Sequence, residues 1–207
     1  IVREYGADTM RLYEMFIGDF EKSAPWSSAS IKGCKRFLDR IWNLQEIVTP
    51  EEGYRSTLEA SMHKTIKKVT EDIENLKFNT AIAAMMALLN EFADSGSLTR
   101  GEYKDFLIML NPFAPHITEE IYERMGYEGM LNQQKWVTYD ESKCKDDTIE
   151  IVAQVNGKIK SKLTVAANVS KEDAIALAKE DGKMKEAMDG KTVVKEIYVP
   201  GKLVNIV

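Results

Sequence analysis

In the first two thirds of the chain, large apolar residues return every three or four positions. The clearest case is Leu58, Met62, Ile66, Val69, Ile73 and Leu76, whose steps of 4, 4, 3, 4 and 3 keep every large side chain on one helical face. Before it, Ile31, Cys34, Leu38, Ile41, Trp42 and Gln45 mark a helix that ends ahead of Pro50, with Ser28 or Ser30 as its cap. Arg11, Leu12, Met15 and Phe16 close a still earlier helix, which Gly18 breaks. After it, Ile82, Met85, Leu88, Leu89 and Phe92 form another, capped by Asn79 or Thr80 and stopped by Ser95 and Gly96. Thr99 and Glu102 form a T-x-x-E capping box for the next, which ends near Asn111 and Pro112, and a last one runs from about His116 to Met125. Amphipathic helices on short connections predict an α-helical bundle over residues 1–138.

The pattern then changes period. Residues 139–148 (YDESKCKDDT) are polar and aperiodic, the composition of a linker. Ile149, Ile151, Ala153 and Val155 alternate with Glu150, Val152, Gln154 and Asn156, as in a strand. Asn156-Gly157 suits a two-residue hairpin turn, and Ile159, Leu163 and Val165 resume the alternation beyond it. Ser170 opens one or two short helices punctuated by Gly182 and Gly190, and the strands Val193–Val199 and Leu203–Val207 flank Pro200-Gly201. The order ββα(α)ββ predicts a small α+β domain over residues 149–207. The fold class is therefore multi-domain: a helical bundle followed by an α+β module.

Composition narrows the functional classes. At 44% hydrophobic and 29% charged, the 207 residues can build a core and are not low-complexity. The longest apolar run, Ala81 to Leu89, is about half of the ~18 residues a spanning helix needs, and the N-terminus lacks a signal-peptide core, so neither membrane nor secretion is expected. Two cysteines, Cys34 and Cys144, exclude a disulfide framework and favour a reducing compartment. With two histidines and no CxxC or HxxxH pair, no metal is expected.

There is no glycine-rich phosphate loop, no G-x-S-x-G and no H-E-x-x-H, and no catalytic residue is nominated. Acidic pairs such as Glu51-Glu52 and Glu119-Glu120 read as solvated faces. His116 at a helix start and His63 on a polar face read as structural. Cys144 lies between Lys143 and Lys145, two cations that could lower its thiol pKa, but reads as an exposed linker thiol without function.

The net charge of −5 argues against nucleic acid only until it is divided. Residues 1–148 carry 18 Lys and Arg against 25 Asp and Glu, whereas residues 149–207 carry 10 against 8. Within the latter, Lys158, Lys160 and Lys162 alternate with Ile159, Ser161 and Leu163. Strand geometry puts the three ammonium groups on one face at roughly 7 Å intervals, a scale on which phosphates also repeat. Sequence physics leaves two readings open, a polyanion site and a strand edge kept soluble by lysine. In the second helix, Lys32, Lys35, Arg36 and Arg40 lie opposite the apolar stripe, where a solvated face competes with an RNA contact.

Read together, YGAD-x-x-RLY, the RFLDR helix, LLNEFADSG, NPFAPH-x-x-EE, VNGKIKSK and PGKLVNIV resemble, in order and over both predicted domains, the C-terminal part of bacterial-type leucyl-tRNA synthetases. The first and fourth of these also resemble isoleucyl and valyl relatives; the VNGKIKSK hairpin and the terminal PGKLVNIV point to the leucyl branch. The resemblance implies an anticodon-binding-type bundle that leans along tRNA and a terminal domain that reaches the tRNA elbow. It implies tRNA contacts for Lys158, Lys160, Lys162 and Lys202, and for Arg36 and Arg40, with a domain-packing role for Asp8 and Arg11. The family's HIGH and KMSKS signatures are missing, so the expectation is a C-terminal fragment that does not aminoacylate alone. In the full-length enzyme the cofactor is ATP, and none is expected in this part. The implied partners are tRNA(Leu) and the N-terminal catalytic and editing domains, in a cytoplasmic monomer. A non-enzymatic RNA-binding protein with a similar bundle, or a protein-interaction scaffold, remains the alternative.

Overall fold

The computed structural model describes residues 1–19, 22–144, 148–166, 169–190 and 192–207. The chain divides into two units, Ile1–Cys144 and Lys145–Val207, each with its own apolar core.

The first unit is built from α1 (Val2–Tyr5), α2 (Ala7–Phe16), α3 (Ser28–Asn43), α4 (Ser56–Glu74), α5 (Phe78–Ser95), α6 (Arg100–Leu110) and α7 (Pro115–Arg124). The stripe on α4 buries Leu58, Met62, Ile66 and Val69. It ends sooner than its spacing predicts: Leu76 lies past the helix at a φ of 56°, 52% exposed. α6 is buried nearly all round, from Gly101 and Tyr103 to Leu110, and forms the centre of the bundle. Its polar groups are satisfied; the Tyr103 hydroxyl donates to the Ile41 carbonyl at 2.7 Å. Two expected caps differ. Ser27 rather than Ser28 or Ser30 caps α3, its Oγ accepting from the Ser30 N–H, and Thr80 turns back to donate to Asp72 Oδ2 at 2.6 Å.

The start of α6 ties three segments together. Thr99 and Glu102 make the reciprocal capping box, at 3.0 and 2.8 Å. The Glu102 carboxylate, wholly buried, also accepts from the backbone N–H and guanidinium of Arg55 at the head of α4. Arg55 in turn donates to Ser95 and Ser97 at the tail of α5. Beside this junction β1 (Val48–Thr49) pairs in parallel with β2 (Leu98–Thr99). Gly101 is required here, because a Cβ would stand 1.8 Å from the Glu52 carbonyl oxygen.

Part of the polar stretch expected as a linker is folded against the bundle. The turn Glu141–Cys144 lies along α4, where Lys67 meets Glu141 at 2.5 Å and Glu59 meets Lys143 at 2.7 Å. His63 Nδ1 accepts the Asp140 N–H at 3.1 Å. Residues 145–147 of that stretch lie outside the described residues.

The second unit contains β3 (Thr148–Val155), β4 (Lys158–Ala166), α8 (Lys171–Glu180), α9 (Gly182–Met188), β5 (Glu196–Val199) and β6 (Leu203–Ile206). Its sheet runs β4-β3-β6-β5, with β3 and β6 parallel and the outer pairs antiparallel. Ile151, Ala153, Val155, Val165, Val204 and Ile206 pack beneath Ala174, Ile175, Ala178 and Met184 of the two helices. Ser170 and Asp181 cap α8 and α9 through their side chains. Among the described residues of this unit, helices cover one face of the sheet only. Among the described residues no helix is long and apolar enough to cross a membrane.

Removing the carboxylate at the α4–α6 junction should be costly because it leaves Arg55 and two backbone donors without their acceptor. Glu102→Ala is expected to destabilise the first unit by about 3 kcal/mol in urea unfolding, in the range for breaking a buried pair. A loss below about 1 kcal/mol, the size of a surface pair, would contradict this role.

Candidate nucleic-acid interface

The turn between β3 and β4 has positive φ at both Asn156 (51°) and Gly157 (73°), the requirement of a type I′ hairpin. Carried on without interruption, that two-residue turn would set Ala153 opposite Lys160 and Ile151 opposite Lys162. Directly paired residues share a face, so three lysines would be forced toward the core side. The structure avoids this with a bulge: Val155 pairs with Lys158 and Gln154 with Ile159, then Ala153 pairs with Ser161 and Val152 with Lys162. Lys160 is the extra residue, without a partner on β3. Beyond it, Leu163 and Val165 return to the core side opposite Ile151 and Ile149.

The bulge corrects the expectation of three lysines on one face. Lys158 shares the register of buried Val155, on the helix-covered side at the turn end of the sheet. Lys162 shares that of Val152 on the open side, and Ile159 is turned outward at 66% exposure. Lys158 and Lys160 are exposed, and neither has an ion pair among the described residues. Lys162 does have one: its Nζ lies 2.8 Å from Glu150 Oε1, and this bond raises its pKa above the ordinary lysine value. The partner was missed in the sequence because Glu150 and Lys162 become neighbours only after the bulge shifts the register.

Lys202 lies at the other end of β6. Its carbonyl accepts from Val152 N–H, and β6 then runs to Asn205, whose Oδ1 accepts from Gly157 N–H at the hairpin. At roughly 3.3 Å per residue, about 15 Å separates its level from the turn. Lys158 and Lys160 thus have no ion pair among the described residues, Lys162 is engaged by Glu150, and Lys202 lies at the far end of β6 from the turn.

In the first unit Lys32, Arg36 and Arg40 recur at four-residue steps on α3, all exposed. Arg40 donates to Asn90 of α5 at 2.9 Å, whereas Lys35, a residue off that row, pairs with Asp39. The groups considered for chemistry are held structurally. Asp8 accepts from the Ile117 N–H at 2.7 Å and meets His116 Nδ1 at 2.8 Å and Arg11 at 3.3 Å, fastening α2 to the first turn of α7. The Cys144 thiol is shifted up by burial and by Glu141, not down as its sequence neighbours suggested, and burial pushes Cys34 to about 11. Neither is an activated thiol. Among the described residues no three His, Cys, Asp or Glu side chains converge as a metal site.

A leucine–tRNA ligase of Alkaliphilus oremlandii (strain OhILAs) is 53% identical over all 207 residues, which span 26% of that protein. The fold is also that of a chain in the crystal structure of the ternary complex of Agrobacterium radiobacter K84 agnB2 LeuRS-tRNA-LeuAMS. That match has a TM-score of 0.74 at 24% identity, over 99% of this chain and 29% of that one. The family model described as the anticodon-binding domain of tRNA ligase matches residues 56–175, from the start of α4 through the lysine hairpin into α8. With more than half of its length in that match, the chain belongs to the anticodon-binding domain family of tRNA ligases.

Proposed function

We propose that this chain is the tRNA-docking C-terminal region of a leucine–tRNA ligase, and that the Lys158–Lys160 hairpin grips the phosphate backbone of tRNA(Leu). The observation that carries the reading is the pair of exposed lysines at a type I′ turn, without an ion pair among the described residues, in a chain whose overall charge is −5. Ammonium groups are point charges suited to phosphates, not to reading base edges, so the contact positions the RNA and leaves base identity unread. Lys202 and the α3 row with Arg36 and Arg40 add further phosphate contacts on the two units.

Docking of this kind contributes to catalysis by orientation. A ligase that holds the body of its tRNA converts the meeting of acceptor end and activated amino acid into an oriented step. The activation chemistry, with ATP, belongs to the rest of a cytoplasmic, monomeric enzyme; no residue of this chain takes part in it.

The test is tRNA(Leu) binding by the 207-residue chain across a salt titration. Lys158→Ala with Lys160→Ala is expected to weaken binding and flatten the plot of log K against log salt by about two contacts' worth, near 0.9 per phosphate. Arg36→Ala with Arg40→Ala should flatten it less, because Arg40 is already shared with Asn90. Unchanged affinity and slope in the lysine variant would refute the reading.

A further inference from the structure

We infer that the Glu150–Lys162 pair bounds the phosphate footprint on the small unit, confining polyanions to the turn end of the hairpin and withholding Lys162 from them. The inference rests on the proposed tRNA-docking reading and adds a residue that limits it.

Glu150 and Lys162 stand on adjacent strands of the open sheet face, one register step apart, since Val152 is opposite Lys162 and Thr164 is opposite Glu150. Their charged atoms are 2.8 Å apart, and both side chains remain more than half exposed. A phosphate arriving at Lys162 must either displace the Glu150 carboxylate or settle beside it. The first sacrifices an existing bond, and the second sets two anions against each other. Glu150 makes no other ion pair among the described residues, so its charge acts on Lys162 and on whatever approaches it. Toward the turn the open face carries the uncharged Gln154 and Ile159, and Lys158 and Lys160 have no carboxylate partner among the described residues. The row of lysines read from the sequence is therefore divided in two, with free charge at the turn and a neutralised pair in mid-strand. Such a carboxylate narrows binding by repelling poorly registered phosphates, a form of specificity built from a repulsive element.

Both side chains are exposed and neither enters the core, so substitution leaves the fold intact and the test can be a double-mutant cycle in the full 207-residue chain. The readouts are affinity for a leucine tRNA transcript and its salt slope. Lys162→Gln is expected to leave the slope unchanged and to weaken binding by no more than about two- to fivefold, because it removes no phosphate contact and only bares the Glu150 carboxylate. Glu150→Gln should free Lys162, tightening binding roughly two- to fivefold and steepening the slope by about one unit. The double variant should return to wild type.

In the free protein, NMR titration should show the Lys162 pKa falling in Glu150→Gln, since the carboxylate is what raises it. A Lys162→Gln slope flattened as much as that of Lys160→Gln, or a Glu150→Gln variant with unchanged affinity, overturns the boundary. If wild type shows no salt-dependent tRNA binding at all, the docking reading itself has failed. The NMR result then still decides whether the pair exists in solution.

Discussion

A two-residue turn and a sheet covered on one face make incompatible demands on β4, and a single extra residue, Lys160, reconciles them. Because strand side chains alternate with a period of two, the register set at Asn156-Gly157 decides which residues of β4 enter the core. Uninterrupted, it would align Lys162 with buried Ile151; with the bulge, Leu163 takes that place and the core closes. The same adjustment puts Lys158 and Lys162 on opposite faces and brings Lys162 beside Glu150. Core, charge distribution and candidate contact surface in this unit all follow from that one residue.

The bundle solves a different problem, how to anchor a central helix whose ends carry unsatisfied backbone groups. Glu102 meets it by serving the cap of α6, the entry to α4 and Arg55 together, and Arg55 extends the tie to the end of α5. A buried charge with this many donors is well compensated, whereas loss of the carboxylate would strand all of them. The interaction gives the exposed row on α3 a rigid support through Arg40 and Asn90 on α5, and through Tyr103 bonded to Ile41.

Local signals were legible in the sequence, and signals that depend on two distant segments were not. The α4 stripe, the Thr99–Glu102 box and the Asn156-Gly157 turn each lie within a few residues, where periodicity and cap chemistry determine the outcome. The β1–β2 pair joins residues fifty positions apart, and the fastening of Glu141 and Lys143 to α4 joins residues still further apart, so neither had a local signature. The bulge lies between these cases. Each of its signals is local, the turn and the apolar alternation, but only their conflict demands an extra residue. Treating Ile159 as one more inward position hid that conflict, and with it the Glu150 partner of Lys162. The shift of Cys144 was misjudged for a related reason: its sequence neighbours are lysines, while burial and Glu141 dominate its surroundings in the fold.

Docking as proposed requires the hairpin end of the small unit to meet the RNA. Hydrogen–deuterium exchange of the 207-residue chain with and without tRNA(Leu) tests it most directly. New protection is expected in peptides covering residues 154–161, with the helix-covered strands β5 and β6 changing less. Protection confined to the bundle, with the hairpin exchanging as in the free chain, would contradict it.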